Sequence, residues 1–178
     1  SMKNSEFTNT PLLLDGFPLL RSRQADDVCA RMSRLFSPHH LQVSGDPDKL
    51  QVQLNQVPLS HLSIHVLRYG AEVTIDPGER GNFYMLQLPL QGKAELRSGN
   101  QHVEVNRQML SVLHPGAPTW MQWSADCAMI LLCASRQVIG QRLGPTTKQI
   151  CTKTPFTGMT ASRHNPQVAC WWQSAEDM

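Results

Sequence analysis

The sequence FYMLQLPLQGKAELRSG, residues 83–99, sets the fold prediction, and the chain on either side repeats its pattern. Residues 83–90 mix apolar and aromatic side chains as a buried or half-buried strand does. Gln91-Gly92 predicts a turn, and Ser98-Gly99-Asn100 predicts a second one, because Gly and Asn tolerate the positive φ of tight hairpins. The stretch therefore predicts consecutive antiparallel strands.

Further short strands are predicted on both sides of this stretch. HVEVN (102–106), MLSVLHPGAPTWMQW (109–123) and CAMILL (127–132) continue the series, and residues 39–43, 50–57, 62–69 and 71–75 precede it. Asp76-Pro77-Gly78 predicts a turn before the central stretch. Strands at a spacing of about 8–12 residues indicate a sandwich or barrel. The interior of such a structure either fills with side chains or holds one small ligand.

Helices are predicted at both ends of this strand-rich region. Residues 26–36 have an apolar face at helical spacing, with Asp26 as the predicted N-cap. A second helix is predicted with Ser135 as its cap, and a third with Asn165 as its N-cap and Pro166 at its first position. We therefore divide the chain into an irregular arm (1–24), a helix with a β-barrel (25–144) and a helical segment (145–178).

Composition excludes several classes of protein. The chain has 178 residues and a formal net charge of +2, without a Lys/Arg cluster that would indicate nucleic-acid binding. Its five cysteines form no C-x-x-C pair, which predicts reduced thiols in a cytoplasmic protein. No signal peptide or membrane-spanning run is apparent, so no membrane partner is expected.

Several segments resemble the ligand-sensing domain of AraC-type bacterial transcription regulators. They are RYGAEV (68–73), the 76–78 turn, FYMLQLPLQG (83–92), VLHPG (112–116) and Trp123-Ser124. The resemblance implies a cupin-like double-stranded β-barrel, or jelly roll, that binds a small-molecule effector, with adjoining helices that form a homodimer. In such regulators a domain with two helix-turn-helix units follows. Nothing after Met178 remains to form it, so we expect this chain to sense and dimerise without binding DNA by itself.

Metal binding and catalysis are not expected. Many cupins are metalloenzymes with a His-x-His pair, and this sequence has none. His61 and His65 on one strand face would lie about 13 Å apart, too far to share an ion. No nucleophile motif or phosphate loop appears, and Cys127 and Cys133 are predicted to fill core space. We therefore predict no catalytic residue, no metal and no cofactor, with a small cupin-type enzyme as the alternative.

The predicted ligand pocket is the barrel interior, which should be mostly apolar with a few placed polar groups. The candidate ligand-binding residues are Arg68, Phe83, Met85, Gln87, Trp120 and Gln122. Alternation places Phe83, Met85 and Gln87 on one side of their strand, and Trp120 and Gln122 together on one side of theirs. Arg68 could pair with a carboxylate, which favours an aromatic acid as effector and leaves sugars as the alternative. Each residue also has a purely structural interpretation, as core or solvated surface.

The predicted dimer surface lies on the helices after the barrel. Its candidates are Val138, Ile139, Leu143, Trp171 and Trp172. Large aromatic side chains of this kind are enriched at interfaces. The alternatives are that these helices pack on their own barrel, or that the domain is a dimerisation scaffold with a filled interior.

Overall fold

A computed structural model describes residues 11–36, 39–60, 62–77, 83–114, 118–135, 137 and 161–162. Its elements in chain order are β1 (Pro18–Ser22), α1 (Ala25–Leu35), β2 (His39–Val43), a 3-10 turn (Pro47–Lys49), β3 (Val52–Pro58), β4 (Leu62–Arg68), β5 (Val73–Pro77), β6 (Phe83–Gln91), β7 (Lys93–Ser98), β8 (Gln101–Asn106), β9 (Met109–Leu113), β10 (Trp120–Trp123), β11 (Ala128–Ser135) and β12 (Ala161–Ser162). Among the described residues no helix is long and apolar enough to cross a membrane.

The strands form two antiparallel sheets that face each other. One sheet has the order β1-β3-β4-β11-β6-β9-β12 and the other has the order β2-β5-β10-β7-β8. From β4 to β11 the chain crosses repeatedly between the two sheets, as a jelly roll requires. The predicted mainly β architecture is therefore confirmed.

The space between the sheets is filled largely by apolar side chains, which we call the inner cluster. Leu54, Leu67 and Met129 of the seven-stranded sheet meet Leu96 and Trp123 of the five-stranded sheet, and each of them is at most 2% exposed. Full burial of one such side chain contributes about 1.5–3 kcal/mol. This cluster is the main source of stability for the fold.

Helix α1 closes one side of the inner cluster. It buries Val28 and Met32 against the core, and Phe36, directly after the helix, packs there as well. The predicted helix is confirmed, but its N-cap is Gln24, whose side chain makes no capping hydrogen bond. Asp26 lies instead in the first turn, where its charge stabilises the positive end of the helix dipole.

The opposite face of the seven-stranded sheet carries a second apolar group, which we call the outer cluster. Ile64, Val66 and Ile130 belong to it, and Leu12 from the N-terminal arm is buried among them. The arm is not irregular throughout as predicted, because residues 18–22 form β1 and pair with β3. The five-stranded sheet therefore covers one face of β4, and the N-terminal arm packs on the other.

Gly92 and Pro89 interrupt regular strand structure, and the fold accommodates them in different ways. Gly92 joins β6 to β7 with φ of +70°, and a Cβ there would lie 2.7 Å from Asp126 Oδ1 and 2.8 Å from Cys127 Cα. Pro89 lies within β6 beside a register shift opposite β11 and beyond the last residue that β9 pairs. Its missing N–H therefore removes no ladder bond to β9.

One predicted boundary differs from the structure and another agrees with it. Asp76 and Pro77, predicted to form a turn, are the last residues of β5, and Gly78 lies outside the described residues. Ser135, predicted to cap a helix, is the last residue of β11, and Gln137 two positions later is helical. Strands can extend to such residues because pairing with a neighbour, here β2 for β5, overrides local turn preference.

Candidate ligand-binding site

Strand β6 presents half of the predicted ligand-binding residues to the interior. Phe83, Met85 and Gln87 alternate along it, and all three face the space between the sheets as the sequence predicts. Phe83 is partly buried, whereas Gln87 is 0% exposed. The Gln87 amide donates to Met121 Sδ at 3.2 Å and Met85 Sδ at 3.7 Å. Thioether sulfur is a weak acceptor, so this buried amide is poorly satisfied for its depth.

The other three predicted residues, Arg68, Trp120 and Gln122, face away from the space between the sheets. On β10 the inward side chains are Met121 and Trp123, which belong to the inner cluster. Trp120 and Gln122 therefore lie on the outer face of the five-stranded sheet. Trp120 stacks against the guanidinium of Arg97, 4.7 Å from the ring centroid, and Gln122 donates to Glu72 Oε1 at 3.0 Å. Because both faces of β10 carry large side chains, alternation alone could not tell which side was buried.

Arg68 also faces away from the interior. It follows Ile64 and Val66 on the outer face of β4, and its Nη2 donates to Gln53 Oε1 at 2.6 Å. It borders a separate charged depression of about 420 Å³ that includes Lys49 and Asp126. Burial lowers the pKa of Arg68, and the like charge of Arg21 lowers it further. Arg68, predicted to pair with a carboxylate in the interior, therefore lies on the outer side of the sheet.

A row of polar side chains crosses the inner face of the seven-stranded sheet. Register places Gln56 opposite His65, both His65 and Gln87 opposite Leu131, and Gln87 opposite Ser111. Ser111 Oγ donates to Gln87 Oε1 at 3.3 Å, and Gln56 Nε2 lies 3.0 Å from His65 Nε2. We call these four polar residues the polar row. They place hydrogen-bonding groups on a wall that is otherwise largely apolar.

A cavity of about 310 Å³ opens at the His65 end of the polar row. We call it the helix-end cavity, because α1 ends there against the starts of β4 and β6 and the end of β11. Its apolar lining consists of Leu35, Phe36, Leu59, Leu62, Phe83 and Ala134, and its polar lining of Ser63, His65, Cys133 and Ser135. Its volume is at the small end of the range for ligand pockets, and its lining has their usual composition.

His65 is the central polar group of the helix-end cavity. It is 3% exposed, and burial lowers its pKa to about 4, against a smaller opposing effect of a hydrogen bond to the Leu131 backbone. An amide nitrogen can only donate, so Gln56 fixes His65 Nε2 as the acceptor and Nδ1 as the protonated nitrogen. The Phe36 ring packs edge-on at 4.8 Å, and Cys133 Sγ lies 4.0 Å from Nδ1. The imidazole is therefore neutral and fixed in one tautomer near pH 7.

Sequence reasoning missed most of the helix-end cavity. Ser63 and His65 were placed on the face of β4 that also carries Leu67, which is correct, but neither was taken as a pocket residue. The available signal was two polar residues at alternate positions of an otherwise apolar strand. Of the predicted ligand residues only Phe83 borders this cavity.

No metal site is formed by the residues that the structure describes. No group of three His, Cys, Asp or Glu side chains among them converges on a common point. His61 and the predicted dimerisation residues lie outside the described residues. The latter are Val138, Ile139, Leu143, Trp171 and Trp172.

The two-sheet topology defines a cupin-like fold. The model of the AraC-binding-like domain family matches residues 28–175, so the chain belongs to that family and is a ligand-binding regulatory domain. This confirms the resemblance drawn from the sequence. No curated protein matched the chain.

Solved structures share the fold. The crystal structure of the AraC-like transcriptional activator CuxR gives a TM-score of 0.58 at 15% identity, covering 75% of this chain and 52% of that chain. The chain thus spans about half the length of that protein. Smaller likenesses, each with a TM-score of 0.40, are found to the Schizosaccharomyces pombe Cnp3 cupin domain (14% identity, 51% of this chain, 69% of that chain) and to Clostridium difficile EutQ (12%, 49%, 71%).

Proposed function

We propose that this chain is the effector-sensing domain of an AraC-type transcription regulator and that a small organic effector binds in the helix-end cavity. Family membership supports a regulatory role. The observation that carries the proposal is the cavity itself, with apolar walls and a fixed, neutral His65 at its floor. Binding rather than catalysis is the proposed activity, and no cofactor is part of it.

The position of the cavity suggests how binding is transmitted. It is bordered by the end of α1 at Phe36 and by the last residues of β11, from Cys133 to Ser135. An effector therefore contacts both the helix that closes the core and the point where the chain leaves the sheet. A ligand shifts a conformational equilibrium only by its difference in affinity for the two states. We propose that the effector favours one position of this exit point.

The remaining parts of the mechanism are also proposals. The domain forms a homodimer through the helical segment that contains Val138, Ile139, Leu143, Trp171 and Trp172. A separate helix-turn-helix domain of the whole bacterial, cytoplasmic regulator binds DNA. Sedimentation velocity tests the first point: a monomer at high micromolar concentration contradicts it.

Ligand-induced stabilisation tests the cavity as the effector site. A saturating ligand at a hundred times its Kd stabilises the folded state by about 2.7 kcal/mol, which is about 5–10 °C for a domain of this size. In the Ser63→Phe variant the new ring occupies the cavity and should abolish the shift. Gln42→Phe adds the same ring to the exposed face of β2 and should preserve it. An equal shift in both variants would place the effector elsewhere.

A further inference from the structure

We infer that Met121 is an oxidation site, at which a peroxide converts the thioether to a sulfoxide whose oxygen accepts a hydrogen bond from the buried Gln87 amide. Met121 lies between the two sheets and is not among the residues that line the helix-end cavity. Its oxidation therefore does not depend on the identity of an effector.

Gln87 and Met121 meet across the space between the two sheets. Gln87 lies on β6 of the seven-stranded sheet and is 0% exposed, whereas Met121 lies on β10 of the five-stranded sheet. The Gln87 amide donates to Met121 Sδ at 3.2 Å and to Met85 Sδ at 3.7 Å. Its Oε1 accepts from Ser111 Oγ at 3.3 Å, so its amide hydrogens are directed at two sulfurs, which are weak acceptors.

Oxidation of Met121 replaces a weak acceptor by a strong one. A lone pair of Sδ attacks one oxygen of hydrogen peroxide, and the S–O bond forms as the O–O bond breaks. The proton of the attacked oxygen passes to the departing oxygen, which leaves as water. The thioether thereby loses two electrons and the peroxide gains them.

The fold can accommodate the new oxygen at this position. A sulfoxide oxygen in an apolar core is left without a donor and disrupts the packing. At Met121 the oxygen forms beside the Gln87 amide, and Sδ needs to withdraw by only about 1 Å to give an N···O distance near 2.9 Å. Methionine has three rotatable bonds and adjusts readily to such a shift. The weak contact between the two sheets thus becomes an N–H···O hydrogen bond.

Exposure distinguishes Met121 from the other methionines of the inner cluster. Met121 is half-buried, whereas Met85 is 6% exposed, Met32 is 2% exposed and Met129 is 0% exposed. Because oxidation of methionine follows its access to solvent, Met121 should react first among these four. Access and a waiting hydrogen-bond donor therefore coincide at Met121.

Four proteins test the inference: the wild type, Gln87→Leu, Met121→Leu and the double variant. Each is treated with hydrogen peroxide at neutral pH. Peptide mass spectrometry follows the oxidised fraction of each methionine, and calorimetry measures Tm before and after treatment. Subtracting the change in Tm of the matching protein with the Met121→Leu substitution removes the contribution of the other methionines.

Met121 should be oxidised at least about fivefold faster than Met129, and its oxidation should change the Tm of the wild type by no more than about 2 °C. In Gln87→Leu the sulfoxide loses its donor, so the same oxidation should lower Tm by at least about 5 °C. An equal loss of Tm in both backgrounds, or oxidation of Met121 no faster than that of Met129, would overturn the inference. The oxidation rates and the wild-type Tm decide the question even where Gln87→Leu fails to fold. None of these outcomes bears on effector binding in the helix-end cavity.

Discussion

Replacing two buried amide side chains of this fold by apolar ones should change its stability by very different amounts. Asn55 and Gln87 are both 0% exposed, and both lie on central strands of the seven-stranded sheet. Asn55 Oδ1 accepts from Arg21 Nη2 at 2.7 Å, and Asn55 Nδ2 donates to the Leu13 carbonyl at 2.9 Å. Gln87 has one hydroxyl donor at 3.3 Å and otherwise two sulfur acceptors.

The expected free energies follow from these partners. Asn55→Leu removes a charge-assisted hydrogen bond and leaves the Arg21 guanidinium without that acceptor, so it should cost about 2–4 kcal/mol. Gln87→Met removes one long neutral bond of about 1 kcal/mol and also removes a buried amide whose desolvation costs about 1–3 kcal/mol. Its net effect should lie within about 1 kcal/mol of zero, or be stabilising.

Urea unfolding of both variants provides the measurement. For a domain of this size, a change of 1 kcal/mol also moves Tm by about 2–4 °C, so the two variants should be resolved by calorimetry as well. A Gln87→Met variant that loses as much stability as Asn55→Leu would refute the reasoning. It would show that the sulfur contacts satisfy the amide fully.

The remaining predictions concern backbone strain, protonation and thiol access. Gly92→Ala should lose about 2–3 kcal/mol in urea unfolding, because its Cβ would meet neighbouring atoms at positive φ; Gly99→Ala, which has positive φ but open space, should lose only about 1 kcal/mol. Between about pH 6.5 and 4 the unfolded state binds more protons at His65 than the folded state. The free energy of unfolding should therefore fall by up to about 3 kcal/mol as the pH is lowered over that range. The His65→Gln variant should lose this pH dependence of stability. An unchanged pH dependence in that variant would assign it to other groups. Iodoacetamide should label Cys133, which lines the helix-end cavity, at least about tenfold faster than Cys127, which is 1% exposed and whose thiol pKa is raised by burial. Equal rates in the peptide map would show that the fold opens before either thiol reacts.

The strand pattern could be predicted because it depends on local rules. Alternation and turn residues located β4, β6 and α1 to within one or two positions. Gly92 and Gly99 were both predicted to lie in turns, and both have a positive φ in the structure. What these rules supply is the periodicity of each element.

The face that each strand buries could not be predicted from the same rules. β10 and β4 carry large side chains on both sides, so the inward residue is decided by the partner sheet and by α1. Trp120 and Arg68 therefore face away from the interior, whereas Met85 and Gln87, on a strand buried on both sides, face it. The helix-end cavity depends on three segments that are distant in sequence, and no local pattern brings Phe36, His65 and Cys133 together.

The place of β11 in the sheet has a consequence for how the chain reaches its folded state. This strand, the last long one among the described residues, lies between β4 and β6, which do not pair with each other. Until it emerges from the ribosome, both neighbours expose open hydrogen-bonding edges with several apolar side chains, which favour pairing with other molecules. Assembly should therefore be slow and late, dominated by contacts between distant parts of the chain, and a nascent chain that ends before Ala128 should depend on chaperones to stay free of aggregates.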